Sequence, residues 1–200
     1  MPETSQSAKT LRPALSEIEE ARSIVSKAAQ VTPLEFSRYL SEELGAPVWL
    51  KCENLQRTGS YKIRGAYNRI TRLNAEERLR GVVAASAGNH AQGVAFAARE
   101  LGISSTIFMP LGVALPKLQA TRNYGANVVL GGDTVAEPLR AAAQFAEETG
   151  AVFIPPFDHR DIIIGQATLG LEILDQAPQT ETILVPVGGG GLLSGIASAA

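Results

Sequence analysis

Short apolar runs alternate with amphipathic stretches along almost the whole chain. Gly81-Val82-Val83-Ala84-Ala85, Thr106-Ile107-Phe108-Met109, Asn127 to Leu130, Val152-Phe153-Ile154 and Thr182 to Val187 read as strands, and Val48-Trp49-Leu50 as a shorter one. Between them the spacing of apolar positions predicts helices over 61–73, with Ser60 as N-cap, and over 89–101, 116–124, 135–149 and 161–174. Upstream, Ser16-Glu17-Ile18-Glu19 has the capping-box form and opens a helix reaching about Ala29. Thr32-Pro33-Leu34 interrupts it, a second helix is expected over Phe36 to Leu44 before Gly45, and another starts after the glycines at 188–191. Strands of this kind alternating with helices imply an α/β fold whose mostly parallel sheet is covered on both faces.

Composition narrows the classes. The 200 residues are 45% hydrophobic and 19% charged, with a formal charge of -2 and no Lys/Arg block, so neither nucleic acid nor an anionic membrane is an expected partner. No apolar stretch has the length of an export signal or a membrane span. The single cysteine, Cys52, makes no internal disulfide, which favours a reducing compartment and the cytoplasm. Residues 1–10, polar and Ser/Thr-rich, read as a disordered leader. The two histidines, His90 and His159, show no metal-ligand spacing, and no metal is expected.

Three segments carry candidate chemistry. Gly188-Gly189-Gly190-Gly191-Leu192 follows a strand and opens a helix, a setting in which unobstructed backbone N–H groups and the positive helix end suit a phosphate. A plain strand-to-helix turn is the alternative. The Lys-Ser/Thr pair of a Walker loop is absent, and Ser194 stands where the dinucleotide fingerprint needs its third glycine. In Ser60-Tyr61-Lys62-Ile63-Arg64-Gly65-Ala66, Lys62 falls in the first turn of a helix, where the positive end favours a neutral amine able to form a Schiff base and to act as a base. A solvated surface lysine is the alternative. In Ser86-Ala87-Gly88-Asn89-His90, free amides at a helix start suit a carboxylate, and Asn89 either offers donor and acceptor to a ligand or simply caps the helix. His90 reads as a structural neighbour rather than a base.

Taken together, these three segments resemble the threonine dehydratases, pyridoxal-phosphate (PLP) enzymes of the tryptophan synthase β-subunit fold. The similarity also takes in Thr32-Pro33-Leu34, Lys51-Cys52-Glu53-Asn54-Leu55-Gln56 and Pro155-Pro156-Phe157-Asp158, and so runs from about residue 12 to the last. The resemblance implies that Lys62 carries the cofactor and takes the Cα proton, and that Asn89 hydrogen-bonds the ring hydroxyl. It implies that Gly188, Gly189, Gly190, Gly191 and Leu192 hold the phosphate, and that Ser86, Ala87, Gly88 and His90 surround the substrate carboxylate. The implied reaction converts L-threonine to 2-oxobutyrate and ammonia, with L-serine as secondary substrate.

The implied architecture is two interleaved open parallel-sheet α/β domains of the PLP fold type II kind. Residues 53–155 form the small domain, and 11–52 with 156–200 form a large one whose C-terminal part is absent. A small amino-acid substrate and a homodimer or homotetramer are the implied partners. Serine racemase and serine dehydratase belong to the same fold. The racemase serine opposite the lysine falls at Ala87 here, and alanine carries no proton. A non-catalytic PLP-binding module is the competing reading from another class; Lys62 counts against it, because binding alone needs no amine.

Overall fold

The structure is a computed structural model describing residues 12–134 and 136–200; the expected leader at 1–10 and the expected helix start at Val135 lie outside the described residues. In chain order the elements are α1 (Leu15–Val25), β1 (Leu34–Phe36), α2 (Arg38–Leu44), β2 (Trp49–Lys51), α3 (Lys62–Thr71), α4 (Ala75–Arg80), β3 (Val82–Ala85) and α5 (Asn89–Glu100). They continue with β4 (Ser105–Met109), α6 (Leu115–Asn123), β5 (Asn127–Leu130), α7 (Ala136–Thr149), β6 (Val152–Phe153), α8 (Arg160–Gln176) and α9 (Gly191–Ala199).

The period-2 side-chain alternation of β3 and β4 builds the centre of the molecule. Val82 and Ala84, with Ile107 and Met109, face one way and join Val94, Ala95 and Ala98 of α5 in the main core. Val83 and Phe108 face the other way, onto Ala142 and Phe145 of α7. Both faces of the two central strands are therefore dry, as a parallel sheet requires. Its order is β5-β4-β3-β6, all parallel. The chain moves outward from β3 to β4 and β5 and then returns to β6 on the other flank. The order thus reverses between β3 and β6, and at such a point the strand carboxyl ends open a crevice.

A second helical layer, α1, α3, α8 and α9, packs beside α5. Here small residues set the spacing: a Cβ on Gly165 would lie 2.6 Å from Gly65 Cα and 2.7 Å from the Arg64 carbonyl, so α3 and α8 cross almost backbone to backbone. A Cβ on Gly195 would likewise lie 2.7 Å from the backbone of α8, bringing α9 equally close.

Several sequence expectations are corrected. Phe36 belongs to β1, which pairs antiparallel with β2 (Phe36 opposite Trp49), and the helix starts only after Ser37, whose hydroxyl accepts from Leu40 N–H at 3.4 Å. Ser16 lies inside α1 rather than at its cap, while Glu17 reaches back to Ala14 N–H at 2.8 Å. Ser60 does not cap α3; Tyr61 holds that position in helical conformation, because the chain already turns through the 3-10 segment Glu53–Leu55 and the loop after it. α4 was not expected, because its six residues bury no apolar face, although Asn74 and Glu77 form a reciprocal capping box at 2.9 Å each way. Thr182 to Val187 alternates as a strand does, with Ile183 and Val185 packed onto α8 and α9 and Leu184 exposed, yet no strand among the described residues pairs with it. Without a ladder, alternation alone makes no strand.

Candidate active site

Two loops leave the carboxyl ends of the adjacent strands β3 and β6 at the reversal point: 86–88 and 154–159. They are tied together by His90, buried, whose Nε2 lies 2.9 Å from the Ile154 carbonyl. A carbonyl only accepts, so Nε2 carries the proton. Burial holds the His90 pKa down at about 4, and the ring is neutral at pH 7.

Lys62 is the first residue of α3 and reaches the same place from the opposite side. Its Nζ donates to the Pro156 carbonyl at 2.7 Å and lies 5.3 Å from the Tyr61 ring centroid. Burial lowers the Lys62 pKa from its ordinary value and so favours the neutral amine. The position is fixed by close packing, since a Cβ on Gly93 of α5 would lie 3.1 to 3.2 Å from the Lys62 and Ile63 backbone.

Lys62 lines a cavity of about 140 Å³ whose wall also contains Gly188 to Gly191, Leu192, Phe157 and Gln166. Gly190, at φ +84°, takes the left-handed turn that lets α9 begin. The first amide of α9 with an intrahelical acceptor is that of Ser194, 2.9 Å from the Gly190 carbonyl, so the N–H groups of Gly191, Leu192 and Leu193 are left without one.

The 86–90 segment does not line that cavity; it stands beside it at the start of α5. Gly88 is the N-cap, and Asn89 is the first helical residue, exposed and unused in capping. Ser86 Oγ accepts from Gly88 N–H at 3.2 Å, and Ser86 N–H donates to the Phe108 carbonyl at 3.1 Å. The first helical bond comes from Gln92, so the amides of Asn89, His90 and Ala91 have no intrahelical acceptor. A Cβ on Gly88 would lie 3.7 Å from Lys117 Nζ, which puts a cation over the same turn.

Tyr61, Pro156, Phe157 and Gln166 on the cavity wall, and Lys117 over the 86–88 turn, are site residues whose role no motif announced. Gln166 had a signal: it is a lone amide in the apolar run Ile162 to Leu169, and in the fold it is 1% exposed. Its Oε1 is buried without a hydrogen-bond partner. An orphaned amide, unpaired helix-start amides, an open side at Gly188 and a half-buried amine around one cavity fit a ligand that carries both an aldehyde and a phosphate. Lys62 would hold its aldehyde end and the 188–192 loop its phosphate.

Comparison with known proteins agrees with this fit. The chain is 53% identical over 185 residues to the L-threonine ammonia-lyase of Thermotoga maritima, covering 92% of this chain and 46% of that one. It superposes on the processed form of threonine deaminase isoform 2 from Solanum lycopersicum with a TM-score of 0.88 at 41% identity, over 92% of this chain and 55% of that one. Maize serine racemase gives 0.90 at 37% identity, over 94% and 57%. The chain thus spans about half the length of the curated relatives it matches. Residues 25–200 match the family described as pyridoxal-phosphate dependent enzyme, and with Lys62 and the glycine loop on one cavity, the chain belongs to that family, with pyridoxal phosphate as its cofactor.

Proposed function

We propose that this chain supplies the lysine, the phosphate loop and the carboxylate-binding turn of an L-threonine ammonia-lyase, which forms 2-oxobutyrate and ammonia and accepts L-serine as a second substrate. The observation that carries the reading is the meeting of Lys62 and the 188–192 loop on one cavity, together with identity above 50% to L-threonine ammonia-lyases.

When bound, pyridoxal phosphate supplies an electron sink for the charge left at Cα. The chain's own residues do the rest. The amides of Gly191 and Leu192, with the turn at Gly188 to Gly190, hold the phosphate at the positive end of α9. The turn Ser86-Ala87-Gly88 and the free amides at the start of α5 hold the substrate carboxylate, with Lys117 adding positive charge and buried, neutral His90 fixing the turn to the β6 loop. Asn89, unused in capping, is free to hydrogen-bond the cofactor ring hydroxyl. The Lys62 amine, whose charged form burial disfavours, takes the proton from Cα; with that proton the β-hydroxyl departs as water, and hydrolysis of the released enamine frees ammonia. Alanine at 87 offers no proton on the opposite side, so the racemase reading raised by the maize enzyme receives no support from this turn.

We further read 53–155 as the small domain, because the whole parallel sheet lies within it, and 11–52 with 156–200 as part of the large one. We also propose a homodimer or homotetramer in the cytoplasm; among the described residues no helix is long and apolar enough to cross a membrane.

The test is the visible absorption of the protein with pyridoxal phosphate, wild type against Lys62→Ala, followed by L-threonine. A band that needs Lys62 and the accumulation of 2-oxobutyrate are expected. A band of equal strength in Lys62→Ala would remove the lysine from its role, and D-serine formed from L-serine would reinstate racemisation.

A further inference from the structure

The four glycines at 188–191 do not share one reason for being glycine. Gly190 needs its positive φ, and a Cβ on Gly188 would meet nothing within 4 Å. The other two lie against a protein neighbour. A Cβ on Gly189 would sit 2.3 Å from Phe157 Cδ1 and 2.4 Å from Cγ, in steric overlap with the ring. A Cβ on Gly191 would sit 2.9 Å from the Phe157 carbonyl and 3.0 Å from its Cβ.

The segment that presents Phe157 is itself anchored at each step. Ile154 N–H donates to Val83 at 2.8 Å, the Ile154 carbonyl meets His90 at 2.9 Å, and the Pro156 carbonyl accepts Lys62 Nζ at 2.7 Å. The Phe157 carbonyl accepts from His159 N–H at 3.1 Å, closing the turn. Consecutive residues of one short segment therefore touch the amine at one end of the cavity and the glycine loop at the other. A cofactor with a rigid aromatic ring needs those two ends at a fixed separation, and loops of glycine do not hold a shape unaided.

We propose that Phe157 is a positioning residue for the phosphate loop: its ring is the form against which Gly189 and Gly191 are moulded, while its neighbour Pro156 fixes the lysine end. The proposal rests on the reading of 188–192 as the phosphate site. It gives Phe157, 37% exposed and otherwise an unremarked loop aromatic, a task that no contact with the reacting atoms would reveal.

A double-mutant cycle tests it, read by titrating pyridoxal phosphate and, separately, phosphate-free pyridoxal into wild type, Phe157→Ala, Gly189→Ala and the double variant, using the Lys62-dependent band. Phe157→Ala should weaken pyridoxal phosphate about tenfold, the scale of coupling between contacting residues, and leave pyridoxal nearly unchanged. Gly189→Ala should be worse for pyridoxal phosphate, and the double variant should bind it more tightly than Gly189→Ala alone, because the space occupied by the ring has opened. Phe157→Leu, which keeps bulk, should fall between wild type and Phe157→Ala, and it serves in the cycle if Phe157→Ala does not fold. If the two losses simply multiply, or if pyridoxal and pyridoxal phosphate weaken equally, Phe157 does not shape the loop and the proposal is overturned. A wild type without any Lys62-dependent band would instead overturn the cofactor site itself, and this inference with it.

Discussion

His90 shows how one residue couples the site to stability. Its ring is 4% exposed and donates to the Ile154 carbonyl, while burial and the nearby Lys62 charge oppose its protonation. Its folded pKa of about 4 lies below the ordinary 6.5, so the unfolded chain takes up a proton first as pH falls. Stability from this group is complete above pH 6.5 and is lost between there and pH 4, to a total of roughly 3 kcal/mol. Thermal melts over that range should fall more steeply for wild type than for His90→Gln, which keeps a donor but does not titrate. Equal slopes would show that His90 takes up its proton in the fold as readily as in the unfolded chain. Glu172, whose pKa burial pushes up but Arg64 and Lys51 together bring down, works in a later window: its contribution is present above pH 4.5 and is lost below it. The segment around Lys62 was legible at this scale because its motif is local. Gln166 and Phe157 were not, because what singles them out is contact with α3 and α9, far away in sequence.

Among the elements, helices were legible where a 3.6 period runs over several turns, as in α5 and α8, whose boundaries shift by only a residue or two from expectation. Strands were legible where both faces are buried. β1 was missed because its three residues are too short to show a period, and Thr182 to Val187 was misread because pairing is not written in the strand's own residues. How closely the helices approach is set by particular glycines. Gly165→Ala would drive a methyl into the backbone of α3, costing about 1–3 kcal/mol, whereas Gly112→Ala meets nothing within 4 Å and has no positive φ, so it should be neutral. Urea denaturation of the two variants checks this; equal stability would mean that α3 and α8 separate without cost.

Across the whole molecule, a buried ionic cluster joins the N-terminal segment to α3 and α8. Arg64, 1% exposed, donates to Glu53 at 2.8 Å and to Glu172 at 2.7 Å; Glu53 also accepts from Thr32 at 2.7 Å, and Lys51 reaches Glu172 at 2.9 Å. Removing one member strands a buried charge, so Arg64→Ala should cost about 3–5 kcal/mol. Arg38→Ala, which breaks an exposed pair within α2, should stay within about 0.5 kcal/mol. Comparable melting temperatures for the two would show the cluster to be dispensable. Arg64 stands two residues after Lys62, so one turn of α3 carries both an amine on the cavity wall and the centre of this cluster. The sequence by itself determined the alternation of elements, hence the α/β class, and the three local motifs, because periodicity, capping and glycine freedom act within a few residues. Only the tertiary structure decided that β3 and β6 lie side by side, that Lys62 and the glycine loop share a cavity, and that Phe157 and Gln166 belong to it. Those facts depend on contacts between residues that lie from tens of positions to more than a hundred apart, and no local pattern encodes them.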